Sequence, residues 1–173
     1  MSTLAEALGV RSGDVVSFVG AGGKTSAMMR LARELASQGR TVVVTTTTHI
    51  REPLFGQVAA VVLEPDGATL LSQLPGLLRQ FGVLAVASGY AEPAPGEPYR
   101  KLAGISPALV NEIAALPGVD NVLVEADGAR GRSLKAPADY EPVVPSRTTV
   151  LVPVAAADAL GLPLAEPTVH RPE

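Results

Sequence analysis

Three short runs of apolar, largely β-branched residues run almost without polar interruption: Val15-Val16-Ser17-Phe18-Val19, Val42-Val43-Val44 and Val122-Leu123-Val124. A strand with one wet face alternates apolar and polar residues. A continuous run needs cover on both faces, the situation of a parallel sheet held between two layers of helices. The intervening segments supply that cover. Residues 24–38 place Met28, Leu31, Ala32 and Leu35 at helical spacing, with Gly39 as a stop. Residues 68–81 form a second helical pattern, which Pro75 is expected to break or kink. Ser106 and Pro107 are a cap and first-turn pair that opens a helix reaching about residue 116.

Further strands are expected over 14–19, 41–45, 58–63, 83–88, 122–125 and 148–154, the last with Pro153 marking an edge or a strand end. Residues 46–56 read as loop. Residues 91–98, with three prolines and one glycine, read as an exposed loop able to cover a ligand. The order of elements is βαβ throughout, so the fold class is α/β, a three-layer P-loop NTPase-like sandwich with a mostly parallel sheet. At 173 residues the chain is one domain's worth, expected to bury about two-thirds of its unfolded surface. No linker divides residues 1–173, and no repeat or low-complexity tract interrupts them.

Composition narrows the partners. Fourteen Lys and Arg against seventeen Asp and Glu give a net charge of -3, with no long basic run, so no nucleic-acid partner is expected. Aromatic residues make up 3% and tryptophan is absent, which leaves little to stack bases on. No segment has the form of a signal peptide or reaches the roughly 18 apolar residues of a span, so no membrane association is expected. The absence of cysteine rules out disulfides and thiolate metal sites and suits a reducing compartment. The expected location is cytoplasmic.

The main chemical signal follows the first strand: Gly20-Ala21-Gly22-Gly23-Lys24-Thr25-Ser26. Between a strand and a helix, backbone N–H groups and the positive helix end converge on an anion. Glycines let the backbone approach phosphate oxygens, Lys24 can reach the outer phosphates, and the Thr25 hydroxyl can ligate magnesium. The full P-loop pattern would want glycine where Phe18 stands, so the loop is short; it resembles the Gly-x-x-Gly-Lys-Thr loop of the ATP-binding Mur ligases. A dinucleotide fingerprint, and with it an oxidoreductase, fits less well. Its third small residue would fall on Thr25, and the second strand runs into threonines rather than an acid.

A second signal is Glu125-Ala126-Asp127 at the carboxyl end of an apolar strand, where ligands bind in open parallel sheets. In extended chain the two carboxylates share a side, so one can serve a magnesium ion and the other a nucleophile. Arg130, Arg132 and Lys135 follow and could stabilise charge on a transferred phosphoryl group. Thr45-Thr46-Thr47-Thr48-His49 emerges at the same sheet edge, offering hydroxyls and an imidazole. The catalytic candidates are therefore Lys24, Glu125, Asp127, Arg130, Lys135 and His49. The phosphate-binding set is Gly20, Ala21, Gly22, Gly23, Lys24, Thr25 and Ser26, with Thr25 and Asp127 as metal ligands, ATP or GTP as nucleotide and Mg2+ as cofactor. His170, near the chain end, has no placed partner and reads as a surface residue.

The glycine loop, the Thr-Thr-Thr-Thr-His run and the segment from Val124 through Glu125-Ala126-Asp127-Gly128-Ala129-Arg130-Gly131-Arg132-Ser133-Leu134-Lys135-Ala136-Pro137, followed by Glu141-Pro142-Val143-Val144-Pro145, together resemble the YqeC family. The resemblance runs along nearly the whole chain. It implies a P-loop-type protein of selenium cofactor biosynthesis, or an accessory protein of selenium-dependent molybdenum hydroxylases, which would be its partners. It also implies a further C-terminal portion with an Asn-x-x-Asp-like element for base recognition, beyond Glu173.

Overall fold

The computed structural model describes residues 2–53, 56–93 and 99–173. In chain order the elements are α1 (Leu4–Leu8), β1 (Val15–Gly20), α2 (Lys24–Ser37), β2 (Val42–Thr46), β3 (His49–Arg51), β4 (Ala60–Leu63), α3 (Gly67–Phe81) and β5 (Val83–Ala87). Then come β6 (Gly89–Tyr90), β7 (Lys101–Ala103), α4 (Pro107–Ile113), β8 (Asn121–Glu125), β9 (Leu134–Lys135), β10 (Thr148–Val154) and β11 (Val169–His170).

Six strands form one sheet in the order β10-β1-β8-β2-β5-β4, and every neighbouring pair in it is parallel. The continuous valine runs are its centre, and period-2 geometry divides each between two cores. Val16, Phe18, Val42, Val44 and Leu123 pack with Met28, Leu31 and Leu35 of α2 on one face. Val15, Val43, Val122 and Val124 pack with Leu70, Leu74 and Leu78 of α3 and Val110 and Ile113 of α4 on the other. This is the three-layer α/β sandwich that the sequence pattern predicts. β10 is an edge strand, as Pro153 requires, and β4 is the other edge.

Some details depart from expectation. Of the break or kink expected at Pro75, the break does not occur: α3 runs through the proline. Proline removes one helical hydrogen bond, and the buried Leu74 and Leu78 on either side hold the turns against the core. α4 stops at Ile113, short of residue 116, because Leu116 precedes Pro117 and is steered out of helical geometry. α1 was not foreseen; it is one short helix with a Thr3–Glu6 capping box, and the Ala5 amide donates to the Glu34 carboxylate of α2 at 2.9 Å.

Residues 46–56 are not simply loop. β3 joins β7 and β6 in a small antiparallel sheet, in which Ile50, buried between exposed His49 and Arg51, pairs with Leu102. Three residues carry too little pattern to announce a strand whose partner lies about fifty positions away. The proline-rich 91–98 segment falls largely outside the described residues.

Two of the loop glycines are required by packing. A Cβ on Gly20 would overlap the Val154 carbonyl oxygen, and one on Gly22 would overlap Ala156; both residues also have positive φ, 94° and 69°. Gly23, at φ 109°, faces open space. Gly22→Ala should therefore lower unfolding free energy by about 2–4 kcal/mol, measured by urea denaturation. Gly39→Ala, with positive φ but no neighbour within 4 Å, should cost only about 1 kcal/mol.

Candidate functional site

The strand order sets the site. β8 lies directly beside β1, with Glu125 opposite Phe18, so the acidic strand end comes up next to the glycine loop that leaves β1. The loop is tied down at its start: the Gly20 amide donates to Asp127 Oδ2 at 2.9 Å and the Ala21 amide to the Val154 carbonyl at 2.9 Å. Those two amides are occupied. The amides of Gly22 and Gly23 make no hydrogen bond among the described residues. α2 then starts with Gly23 as its cap and no side-chain capping bond. Its first-turn amides, on Lys24, Thr25 and Ser26, lack intrahelical partners by helix geometry, which leaves a run of donors at a positive helix end.

Lys24 is folded into the protein. Its side chain is 4% exposed, and its Nζ donates to the Gly20 carbonyl at 2.7 Å and lies 3.2 Å from Asp127 Oδ1 and 3.7 Å from Glu125 Oε1. The Thr25 hydroxyl donates to Glu125 Oε2 at 2.6 Å. Glu125 thus faces Thr25, whereas Asp127, expected from the sequence to share a metal with Thr25, is held by the Gly20 amide and lies beside Lys24. Burial pushes the Glu125 carboxyl above its ordinary value, against the pull of Lys24 and the Thr25 hydroxyl. Asp127 Oδ1 is buried and has no hydrogen bond of good geometry, although Lys24 is within ion-pair distance. An unsatisfied carboxylate oxygen, a second carboxylate and a hydroxyl around one lysine form a donor set suited to a hard divalent cation that keeps several ligands of its own.

Lys135 continues the network. Its ammonium is 1% exposed and contacts Asp127 Oδ2 at 3.2 Å, the Gly128 carbonyl at 2.6 Å and Glu141 Oε2 at 2.5 Å. Arg171 reaches the same Glu141 oxygen at 2.8 Å. Burial works against ionisation of Glu141, yet the hydrogen bonds from Lys135 and Arg171 outweigh it and hold the carboxyl below its ordinary value. Three cations and three carboxylates therefore alternate from the glycine loop to β11.

The remaining sequence candidates fall elsewhere. Ser26 is exposed on the first turn of α2, and Arg130 is exposed in the loop after β8. His49 is exposed on β3 and makes no hydrogen bond or ion pair with the glycine loop or the two acids. The threonine run supports backbone instead of offering hydroxyls: Thr45 bonds the Val86 carbonyl at 2.8 Å, Thr46 the Glu125 carbonyl at 2.7 Å and Thr47 the Val143 carbonyl at 2.7 Å. β2 is flanked by β8 and β5, so hydroxyls at its end meet neighbouring carbonyls before solvent.

His170 corrects the surface reading. It is 8% exposed, in β11, in register with Lys135 of β9. Burial first, then Arg171, Arg130 and Lys135, depress its imidazole pKa. Glu141, His170 and Arg171 were all missed as candidates. Glu141 was visible within the quoted Glu-Pro-Val-Val-Pro segment, but no local pattern pointed it at Lys135.

Two outcomes follow. Lys135→Met removes the cation shared by two buried or half-buried carboxylates and should destabilise by about 3 kcal/mol or more, with much of that loss recovered in the Lys135→Met, Asp127→Asn double variant, by chemical denaturation. The His170 proton is disfavoured in the folded state by burial first and then by the charges of Arg171, Arg130 and Lys135, against the pull of Glu141. Stability is therefore full above the ordinary value of 6.5 and falls as pH drops below it. Replacing His170 by Gln should flatten unfolding free energy between about pH 7.5 and 5.5, measured by denaturation at each pH.

A family model described as YqeC protein matches residues 16–173. An Escherichia coli K12 protein named "Uncharacterized protein YqeC" is 32% identical over 157 residues, covering 91% of this chain and 57% of its own length. The chain thus spans less than two-thirds of that relative. No solved structure matches. Among the described residues no helix is long and apolar enough to cross a membrane.

Proposed function

The chain belongs to the YqeC family, and from that premise we propose that it binds a nucleoside triphosphate, ATP or GTP, with Mg2+ and hydrolyses it or transfers its phosphoryl group during selenium cofactor biosynthesis or maturation of selenium-dependent molybdenum hydroxylases. The observation that carries this reading is the position of Lys24. One residue past an uncapped glycine turn, its ammonium sits 3.2 Å from Asp127 and 3.7 Å from Glu125, where a polyphosphate could replace the carboxylates as its partner.

The amides of Gly22 and Gly23 and of the first turn of α2 would receive phosphate oxygens, with the helix end adding favourable charge. Thr25 and Glu125 would hold the magnesium ion, with Asp127 Oδ1 in the same pocket. A magnesium ion held by these residues would supply positive charge to offset that developing on a transferred phosphoryl group. Asp127 also anchors the loop through the Gly20 amide at 2.9 Å, so it positions the donors whichever carboxylate binds metal. Lys135 pairs with Asp127 from the other side at 3.2 Å. Catalysis in such a site is placement and charge stabilisation more than covalent chemistry.

A second reading is a nucleotide-gated accessory protein that hands on a cofactor without a synthetic step of its own. The buried relay from Lys24 through Asp127, Lys135 and Glu141 to Arg171 favours it, because drawing Lys24 onto a phosphate removes one end of a charge-balanced chain whose other end is β11. Slow phosphate release that a hydroxylase partner accelerates would select this reading over an autonomous enzyme.

Calorimetry with ATP and GTP, with and without magnesium, tests the site. Wild type should bind one of them in a magnesium-dependent way, Lys24→Ala should weaken binding by about 100-fold, and Glu125→Gln should reduce the magnesium dependence. Equal affinity in wild type and Lys24→Ala would remove the basis of the proposal.

A further inference from the structure

The small antiparallel sheet takes no part in the nucleotide site, yet it stands on the same edge. The Thr46 hydroxyl and the Thr47 amide both donate to the Glu125 carbonyl, at 2.7 and 3.2 Å, and β3 begins two residues later. The chain after β7 crosses this stretch at Gly104, whose amide donates to the Thr48 carbonyl at 2.8 Å and where a Cβ would overlap the Thr46 and Thr48 carbonyl oxygens. The small sheet is therefore fixed to the strand end that carries the two acids.

On this sheet Tyr90, Glu92, Tyr99, Arg100 and Lys101 line a cavity of about 510 Å³, within the range of small-molecule sites. The chain has three tyrosines and no tryptophan. Two of the three line this cavity, so stacking surface is gathered here. The Arg100 guanidinium carbon lies 3.3 Å from the Tyr90 ring centroid, flat on the ring, and its N–H donors point past the ring's edge. Those donors make no hydrogen bond among the described residues. Glu52 is 3.9 Å away, too far for one, and accepts the Tyr90 hydroxyl at 2.8 Å instead.

Two more cations stand at the second ring. The Arg51 guanidinium lies 4.7 Å from the Tyr99 centroid and the Lys101 ammonium 5.8 Å from it. Arg51 and Lys101 are directly opposite each other across β3 and β7. Like charges so placed are destabilising on their own, and an anion bound beside them is attracted by both. Tyrosine rings recognise a flat ring, and a guanidinium fork with two further cations recognises an oxyanion.

We propose that this cavity binds a flat aromatic molecule bearing an oxyanion group, a ligand distinct from the nucleotide. Its role as the other substrate rests on the nucleotide reading above; the site itself rests on the small sheet alone. The ring stacks with the tyrosines, and the oxyanion takes the free donors of Arg100 while Arg51 and Lys101 add charge.

Flavin mononucleotide and 1-naphthyl phosphate, a larger and a smaller flat ring each carrying one phosphate, are titrated calorimetrically into the protein to test this. Riboflavin and 1-naphthol keep only the ring, and inorganic phosphate keeps only the charge. At least one of the two phosphorylated rings should bind about tenfold more tightly than its ring alone or phosphate alone. Arg100→Gln and Tyr99→Leu should each weaken that binding about tenfold, the loss expected for a charged hydrogen bond or a stacking ring, while Lys24→Ala leaves it unchanged. The Arg100 side chain is 63% exposed, so its variant decides the matter even if circular dichroism shows Tyr99→Leu to be misfolded. The proposal is overturned if neither phosphorylated ring binds, if ring or phosphate alone binds as well, or if Arg100→Gln binds as wild type does. Displacement by a saturating non-hydrolysable magnesium nucleotide would also overturn it, because the tyrosines would then hold the nucleotide's own base. Binding that depends on Arg100 in a protein that takes no nucleotide would sink the nucleotide reading and leave this site standing.

Discussion

The buried alternation of charge from Lys24 to Asp127 to Lys135 holds this molecule's functional edge together. Asp127 carries the Gly20 amide on the same oxygen that faces Lys135, so one carboxylate fixes where β1 ends, where α2 begins and where the chain goes after β8. Taking charges of this kind out of water is costly, and their mutual attraction offsets that only when each has a partner in place. Hydrophobic residues of similar volume would hold the fold at least as well. The charges therefore point to use and not to stability.

The sheet makes such a cluster possible. In a wholly parallel sheet all strands deliver their following residues to one edge, and placing β8 between β1 and β2 brings a carboxylate pair beside a glycine loop more than a hundred positions earlier in the chain. Helices cover both faces of the sheet's centre, and the cluster sits at its carboxyl edge. Low exposure at Lys24, Glu125 and Asp127 strengthens every electrostatic contact there. The same sheet consumes the threonine hydroxyls of β2, whose central position surrounds them with carbonyls.

The glycines show how one residue can answer two demands. Read as a string, Gly20-Ala21-Gly22-Gly23 looks like backbone cleared for phosphate. In three dimensions Gly20 and Gly22 are small because β10 and the chain after it pass over them, and only Gly23 opens onto free space. A glycine signature reports that something comes close, not what it is. The acids behave similarly: spacing placed Glu125 and Asp127 on one side, but which one meets Thr25 depended on the side-chain packing between β1, α2 and β8.

Local pattern was enough to determine the layers, the strands of the central sheet and the strand–loop–helix setting of Lys24, because continuous β-branched runs and helical periodicity express burial within a few residues of themselves. Tertiary structure alone decided that β3 is a strand, that His49 stands apart, and that Glu141, His170 and Arg171 join the site. β3, His170 and Arg171 meet partners about 30 to 50 residues away, and Glu141 meets Lys135 across a turn six positions long; no local periodicity encodes either kind of neighbour. The order in which strands line up in the sheet creates those neighbours, and with them the chemistry of the edge.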